Sequence, residues 1–208
     1  MSNISIIGTG NMASTIATLA VAGGNTVEVI GRDQSKATDL AKTLGGSTTA
    51  GEFGAVPAGD IVIVALGYAN VVPVVGQYGD ALAGKVIVDI CNPVNSTGDG
   101  LAIPDGTSIA QDVAGAAPAS ARVVKAFNTT FGAVLAKGRP LDVFIAGDDE
   151  RAKTAVAEFI ESLKLRPLDV GGLNMAHYLE GTGLVMIGLA QHGVGNFDFA
   201  LGVTEFSG

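Results

Sequence analysis

Short apolar runs alternate with segments of helical periodicity along most of this chain. The apolar runs predict strands at 4–7, 26–30, 61–66, 86–90, 122–127, 143–146 and 166–170, with a weaker, polar strand at 47–49. Between them the pattern predicts helices at 11–22, 35–44, 71–78, 108–114 and 149–163, with Pro73 confined to the first turn of its helix. This alternation predicts an α/β fold in which a doubly wound, mostly parallel sheet carries helices on both faces.

The last part of the chain departs from this alternation. A long helical pattern runs from Leu173 to about Gln191, and three glycines interrupt it: Gly181, Gly183 and Gly188. Glycines in such places usually mark close helix packing or a break in the helix. We therefore expect a sheet domain at 1–170 and a C-terminal helical extension at 171–208.

A glycine-rich turn joins the first predicted strand to the first predicted helix. It reads Gly8-Thr9-Gly10-Asn11-Met12-Ala13, the spacing Gly-x-Gly-x-x-Ala that binds the pyrophosphate of a dinucleotide when it lies between a strand and a helix. Gly8 allows the tight turn, Gly10 lets the backbone approach a phosphate, and Ala13 lets the helix pack closely on the strand. The unpaired N–H groups and positive dipole end of the helix at 11–22 would face the phosphates. The turn predicts a Rossmann-type nucleotide site, with a glycine-rich turn that binds nothing as the alternative.

The end of the second predicted strand indicates which dinucleotide binds. NAD-preferring sites usually place Asp or Glu there to hold the ribose 2′-hydroxyl. This chain has Gly31, followed by Arg32 and, one helical turn on, Lys36. Because a guanidinium and an ammonium favour the 2′-phosphate, we predict NADP(H). In the alternative, Arg32 and Lys36 are solvated surface charges and Asp33 only caps the next helix.

Composition narrows the class of protein. Of the 208 residues 48% are apolar and 15% charged, and the mean hydropathy is +0.43, as expected for a sheet buried on both faces. The formal net charge of −8 disfavours nucleic acid and anionic membranes as partners. One cysteine excludes an intrachain disulfide, and no Cys/His spacing suggests a metal site. The chain enters its first strand without a leader pattern, so we expect a cytoplasmic enzyme.

The apolar C-terminal region also predicts self-association. Phe197, Phe199 and Phe206 lie in its last stretch. Small monomers rarely expose so much apolar surface, so we expect a homodimer or larger closed oligomer with 173–206 supplying much of the interface. In the alternative, this tail packs on the sheet of its own chain.

Ligands of open α/β sheets bind beyond the carboxyl ends of the strands, so the segments that follow the strands supply candidate site residues. They are Leu66, Gly67 and Tyr68 after the fourth strand, Asn92 and Pro93 after the fifth, and Asn128, Thr129, Thr130 and Gly132 after the sixth. These segments contain no catalytic triad, carboxylate pair or metal site. Hydride transfer between two flat redox rings needs mainly alignment. Reduction of a carbonyl or imine needs a proton donor, for which only Tyr68, His177 or His192 is plausible.

Several of these segments together resemble the NADP-dependent deazaflavin (coenzyme F-420) oxidoreductases. The motifs are Gly8-Thr9-Gly10-Asn11, Gly31-Arg32 with Lys36, Lys125-Ala126-Phe127-Asn128-Thr129, and the junction 165–173. The chain is also similar to the cytosolic reductase domain of six-transmembrane metalloreductases, which add a membrane part to this fold. The resemblance implies hydride transfer between NADP(H) and a deazaflavin. It also implies roles in holding NADP for Thr9, Asn11, Met12, Arg32 and Lys36, with 128–132 facing the nicotinamide and the deazaflavin.

The segment at 128–132 departs from the family pattern. Deazaflavin enzymes place a His where this chain has Asn128, and Phe131 replaces a smaller or cyclic residue. The second substrate therefore stays open between coenzyme F-420, FMN, FAD, riboflavin and an unrelated acceptor. Two other functions also stay open: a reductase of a small imine or carbonyl compound, similar to pyrroline-carboxylate reductases, and a non-enzymatic NADP-binding redox sensor or structural subunit.

Overall fold

The computed structural model describes residues 1–206, whose eight strands form one sheet in the order β3-β2-β1-β4-β5-β6-β7-β8. The strands are β1 (Asn3–Ile7), β2 (Thr26–Ile30), β3 (Thr49–Gly51), β4 (Ile61–Val64), β5 (Val86–Asp89), β6 (Arg122–Lys125), β7 (Asp142–Gly147) and β8 (Arg166–Asp169). Neighbouring strands pair in parallel except β6 and β7. The prediction of a doubly wound, mostly parallel sheet is confirmed.

Helices cover both faces of this sheet. They are α1 (Asn11–Ala22), α2 (Gln34–Leu44), α3 (Tyr68–Tyr78), α4 (Ile109–Ala116), α5 (Gly132–Leu135), α6 (Glu150–Ser162) and α7 (Ala176–Gly188), with 3₁₀ turns at Gly79–Leu82 and Leu173–Met175. Helices α1, α2, α5 and α6 contribute to one apolar core cluster, and α3, α4 and the start of α7 contribute to the other. Because both faces are covered, the strands are apolar along most of their length. Among residues 1–206, no helix is both long enough and apolar enough to cross a membrane.

Side-chain caps set the starts of three helices. The Asp33 carboxylate accepts the backbone N–H groups of Ser35 and Lys36 at the start of α2. Ser108 caps α4 and Asp149 caps α6 in the same way. Each cap satisfies N–H groups that the first helical turn leaves unpaired. The predicted limits of these helices are therefore close to the observed ones.

Three strands differ from their predicted limits by two residues, whereas β1, β5, β7 and β8 differ by one residue at one or both ends. β6 ends at Lys125, two residues early, because the buried Phe127 has a φ of 60° and turns the chain out of the extended conformation. β4 ends at Val64 rather than at residue 66, and β3 occupies Thr49–Gly51 rather than 47–49. Edge strands as short as β3 carry little apolar pattern, so their register depends on the neighbouring strand.

Helix α3 begins three residues earlier than predicted, and the predicted position of Pro73 in its first turn is wrong. The helix starts at Tyr68, which places Pro73 in its interior at an exposed position. A proline there removes one backbone hydrogen bond. Burial of Val71, Val75 and Tyr78 against the sheet holds the helix across this defect.

The C-terminal region is helical from Leu173 to Gly193, close to the predicted range, and is followed by a tail. α7 continues as one π-helical turn at Leu189–Gly193, and residues 194–206 contain neither helix nor strand. The tail returns to its own chain, where Phe197 and Phe199 pack edge-on against Phe131, with ring centroids 5.2 and 5.5 Å apart. Further on, the Val203 N–H donates to Asp142 at 2.7 Å. This part of the tail therefore packs on its own chain, which was the alternative to an intermolecular interface.

Candidate active site

The carboxyl ends of β1 and β4 form the crevice of this sheet. The direction in which successive strands are added to the sheet reverses there, because β2 lies on one side of β1 and β4 on the other. Such switch points are where open α/β sheets bind ligands. Gly8 follows β1 with a φ of +139°, and a Cβ on it would lie 2.4 Å from the Ala65 carbonyl oxygen after β4. Only glycine fits this turn, so Gly8 brings the two strand ends together.

The start of α1 offers free backbone donors to the crevice. Its N-cap residue, Gly10, provides no side-chain cap, and the first N–H bonded back to it is that of Ser14. Gly10 is exposed, and a Cβ on it would meet no atom of the described chain within 4 Å. The segment Gly8–Ala13, here called the phosphate loop, therefore has the space and the N–H groups that a pyrophosphate requires.

A pocket of about 200 Å³ lies beside the phosphate loop at the end of β2. It is lined by Ile7, Gly8, Thr9, Ile30, Gly31, Arg32, Asp33, Lys36, Phe53 and Leu66. Arg32 and Lys36 are exposed at its rim, and the Lys36 ammonium is 4.0 Å from Asp33. A guanidinium and an ammonium at one pocket fit a dianionic phosphate on the ribose.

Two predicted features of this pocket also have a purely structural explanation. A Cβ on Gly31 would lie 2.9 Å from the Thr9 Cγ2, so packing alone disfavours an acidic residue there. The Ser35 hydroxyl and the N–H groups of α2 lower the pKa of the Asp33 carboxyl, which is consistent with its role as the helix cap. The ligand preference therefore depends on Arg32 and Lys36 more than on the absent acid.

The loops after β5 and β6 are tied to each other by paired amides. The Asn92 amide donates to the Asn128 carbonyl oxygen at 2.7 Å, and the Asn128 amide donates to the Asn92 side-chain oxygen at 2.8 Å. The Asn128 amide also donates to the Leu179 carbonyl oxygen of α7 at 2.8 Å. A Cβ on Gly183 would lie 2.5 Å from the Asn92 amide nitrogen, so this predicted interruption of α7 has a packing role.

The segment Asn128–Gly132, here called the acceptor loop, closes one side of the crevice. A Cβ on Gly132 would lie 3.5 Å from the Met12 sulfur, so this loop contacts the phosphate loop. In the part of the chain that the structure describes, three buried side-chain oxygens of the acceptor loop have no hydrogen-bond partner: Asn128 Oδ1, Thr129 Oγ1 and Thr130 Oγ1. Buried polar atoms are normally paired, so this wall suits the polar edge of a ligand.

The other predicted cleft residues are less closely associated with this wall. Pro93 is buried beside Asn92, whereas Gly67 is exposed at the start of α3. The Tyr68 ring packs on the core cluster between α3 and α4. The structure therefore brings the phosphate loop, Asn92 and the acceptor loop together, and packs Tyr68 on the core cluster.

A buried cluster of three charged residues lies behind these loops, and the sequence analysis did not predict it. Asp89 ends β5, Lys125 ends β6 beside it, and Glu180 comes from α7. The Lys125 ammonium donates to Asp89 at 2.7 Å, to Glu180 at 2.8 Å and to the Cys91 carbonyl oxygen at 2.6 Å. All three charged residues are fully buried. The sequence does contain one indication of this cluster, because residues of opposite charge, Asp89 and Lys125, end two apolar strands.

The surroundings of this cluster determine its protonation. Burial alone would lower the pKa of the Lys125 ammonium, but the Asp89 and Glu180 carboxylates outweigh it and raise that pKa. Burial raises the pKa of the Glu180 carboxyl, which Lys125 opposes. Since all three protons of the ammonium are already donated, Lys125 has none free for a substrate.

Three other candidate groups have different surroundings: Cys91 is buried, His177 is hydrogen-bonded and His192 is exposed. Burial raises the pKa of the Cys91 thiol, so this side chain is a small buried apolar group. The His177 Nδ1 lies 2.7 Å from the Thr107 carbonyl oxygen, which ties α7 to the loop before α4. His192 is exposed in the π-helical turn.

Fold and site together define a Rossmann-type dinucleotide-binding domain. Residues 3–93 match the family described as NADP oxidoreductase, coenzyme F420-dependent. This part of the chain is similar to that family of NADP-dependent oxidoreductases.

Two individual reductases are also similar in sequence to this chain. An F420-dependent NADP reductase of Methanocaldococcus jannaschii is 32% identical over 143 residues, which cover 65% of this chain and 64% of that protein. The metalloreductase STEAP3 of Rattus norvegicus is 31% identical over 188 residues, 88% of this chain but only 37% of that protein. The chain therefore spans less than two thirds of either relative.

Solved structures agree at the level of the whole fold. The crystal structure of a candidate F420-dependent NADP reductase from Arthrobacter sp. FB24 superposes with a TM-score of 0.85 at 25% identity, covering 99% of this chain and 100% of that one. An imine reductase from Streptomyces aurantiacus has a TM-score of 0.67 at 17% identity, over 91% of this chain and 62% of that one. The second likeness shows the fold alone.

Proposed function

We propose that this protein transfers hydride between NADP(H) and a deazaflavin (coenzyme F-420) or a flavin. The proposal depends mainly on which polar groups line the crevice wall, at the point where Gly132 lies close to Met12. The acceptor loop offers amide and hydroxyl oxygens, and the ammonium of Lys125 behind it is fully bonded. Such a wall can align two rings but offers no proton donor.

Residues of the phosphate loop and its neighbours would hold NADP(H). The N–H groups at the start of α1 face the pyrophosphate, and Arg32 with Lys36 pairs with the 2′-phosphate. The nicotinamide, when bound, supplies or receives the hydride. Residues Asn92 and 128–132 orient that end of the crevice, because ring-to-ring transfer requires the reacting atoms to be about 3–3.5 Å apart.

The names of two relatives favour a deazaflavin as the acceptor. The Methanocaldococcus protein and the Arthrobacter structure are both described as F420-dependent. Asn128, which stands where deazaflavin enzymes place a His, keeps FMN and FAD as alternatives within the same proposal. Both classes of acceptor present a flat tricyclic ring with a carbonyl edge, and the hydroxyls of Thr129 and Thr130 could donate to such an edge.

An anaerobic assay of NADPH oxidation tests the proposal. Coenzyme F-420, FMN, FAD and a cyclic imine are supplied in turn, and the loss of NADPH absorbance is followed. We expect turnover with F-420 or a flavin and none with the imine. Turnover with the imine alone would establish the imine-reductase alternative, and NADPH binding without any turnover would establish a sensor.

Arg32 is expected to set the preference for NADP(H) over NAD(H). Replacing Arg32 by Ala should raise the KM for NADPH by about 10- to 100-fold, the effect of one charged hydrogen bond, and leave the KM for NADH nearly unchanged. Lys42→Ala is the matched control, because Lys42 is an exposed cation on α2 that does not line the pocket. Equal losses for both cofactors in Arg32→Ala would contradict this role.

We also propose that the protein forms a homodimer through α7. Tyr178 and Val185 are 63% and 59% exposed on this helix. Between and beyond them, a Cβ on Gly181 or Gly188 would meet nothing within 4 Å in the described chain, so a second helix could approach closely. Light scattering at micromolar concentration should give twice the 20.8 kDa chain mass. The chain mass itself at all concentrations would refute the dimer.

A further inference from the structure

The cluster of Asp89, Lys125 and Glu180 carries a net negative charge. Asp89 accepts from the Lys125 ammonium and from the Cys91 N–H at 3.1 Å. Glu180 accepts from the same ammonium and from the first N–H groups of α4, those of Ile109 and Ala110, at 3.1 and 3.3 Å. Two carboxylates and one ammonium sum to a formal charge of −1.

This charge lies directly behind the two loops that form the nicotinamide end of the crevice. The Lys125 ammonium holds the carbonyl oxygen of Cys91, the residue before Asn92. The Asn128 amide holds the carbonyl oxygen of Leu179, the residue before Glu180. Asn92 and Asn128 are bonded to each other, so the cluster and the crevice wall form one connected unit.

Few other charges compete with the cluster at this end of the crevice. The segments 67–70, 91–94 and 128–132 contain no Asp, Glu, Lys or Arg. The positive end of the α4 dipole, about half an elementary charge, offsets part of the charge on Glu180. The cluster still leaves a net negative field behind an uncharged wall, and full burial keeps solvent from screening it.

We propose that this cluster makes the crevice favour the oxidised nicotinamide over the reduced one. The inference rests on the proposed function, since it requires NADP(H) to bind with its ring at this wall. The nicotinamide ring carries a positive charge when oxidised and none when reduced, so a fixed negative charge behind it stabilises NADP⁺ selectively. The cluster thereby favours departure of hydride from NADPH toward the acceptor. Asp89, Lys125 and Glu180 are positioning residues, because they act through the loops and not by contact with substrate.

The test compares the dissociation constants of NADP⁺ and NADPH, measured by calorimetry on the full chain without acceptor. Glu180→Gln removes one charge from the cluster and should weaken NADP⁺ relative to NADPH by about three- to ten-fold, because the positive ring loses a partly screened attraction to one unit charge. Glu28→Gln is the matched control. Its carboxylate also accepts two hydrogen bonds, from Ser5 and the Ala58 N–H, but it comes from the middle of β2 and not from the loops after β5 and β6.

Two further variants separate charge from structure. Asp89→Asn removes the same charge through a different side chain, and its carbonyl can keep the bond to the Cys91 N–H, so it should shift the ratio in the same direction. Lys125→Met combined with Glu180→Gln keeps the net charge at −1 and should return the ratio to within about two-fold of the wild type. A purely structural role would weaken both cofactors equally in every variant.

The outcomes are distinct. A ratio unchanged from the wild type in folded Glu180→Gln or Asp89→Asn would overturn the inference while leaving the proposed function intact. Failure of the wild-type chain to bind either cofactor would overturn the proposed function itself.

Discussion

Replacing Lys125 by methionine is expected to lower the free energy of unfolding by about 3–5 kcal/mol, because two buried carboxylates lose their counter-ion. Asp89 and Glu180 are both fully buried, so neither can recover its hydration in the folded state. For a chain of this size the melting temperature should fall by about 6–20 °C. Chemical denaturation with linear extrapolation measures the loss.

Lys153 supplies the matched control for this change. It makes two ion pairs of 2.8 Å and is itself nearly buried, but its partners Glu150 and Asp169 are 82% and 44% exposed. Methionine at Lys153 leaves both carboxylates in contact with water, so the loss should be at most about 1 kcal/mol. Equal, small losses in Lys125→Met and Lys153→Met would show that the cluster is not a buried ionic unit in solution.

Replacing Gly132 by valine should reduce turnover with a flavin or deazaflavin by about 100-fold, the effect of misplacing reacting groups by about 1 Å. A Cβ at this position stands 3.5 Å from the Met12 sulfur, which is ordinary contact. The two methyl groups of valine need more room, so they must push the acceptor loop away from the phosphate loop. Affinity for NADPH should stay within a few-fold, because Arg32 and Lys36 line a pocket at the end of β2 that does not include the acceptor loop.

The control for this experiment is Gly132→Ala, whose single methyl group fits at van der Waals distance and should retain most of the turnover. Steady-state kinetics with the acceptor gives kcat, and NADPH titration gives the affinity. Wild-type turnover in Gly132→Val would exclude the acceptor loop as the site of the second substrate.

Much of the cofactor half of this protein follows from local sequence. Helix α1 and strand β2 have their predicted limits, because their apolar periodicity and the glycines at their ends act over a few residues. The turn at Gly8 and the cations Arg32 and Lys36 are likewise adjacent in the chain, so their spacing already places them at one pocket. The match to the family covers the same part of the chain, residues 3–93.

The features that depend on contacts between distant residues were predicted less well. Pro73 is inside a helix because tertiary burial of its neighbours outweighs the lost hydrogen bond. The aromatic tail contains the right residues for an interface, but Phe197 and Phe199 meet Phe131, more than sixty positions earlier in the chain. Periodicity carries no information about contacts of this kind.

The sequence by itself determined the alternation of strands and helices, the phosphate loop and the charge at the ribose pocket, because each depends on residues close together in the chain. Only the tertiary structure decided that Asp89, Lys125 and Glu180 meet. Taken singly, each is a charged residue that solvent could accept, and its burial becomes tolerable only when all three come together with the N–H groups of α4. The wall of Asn92 and the acceptor loop is hydrogen-bonded to this cluster, so the polar groups that the wall offers to a ligand are set by contacts that span the fold.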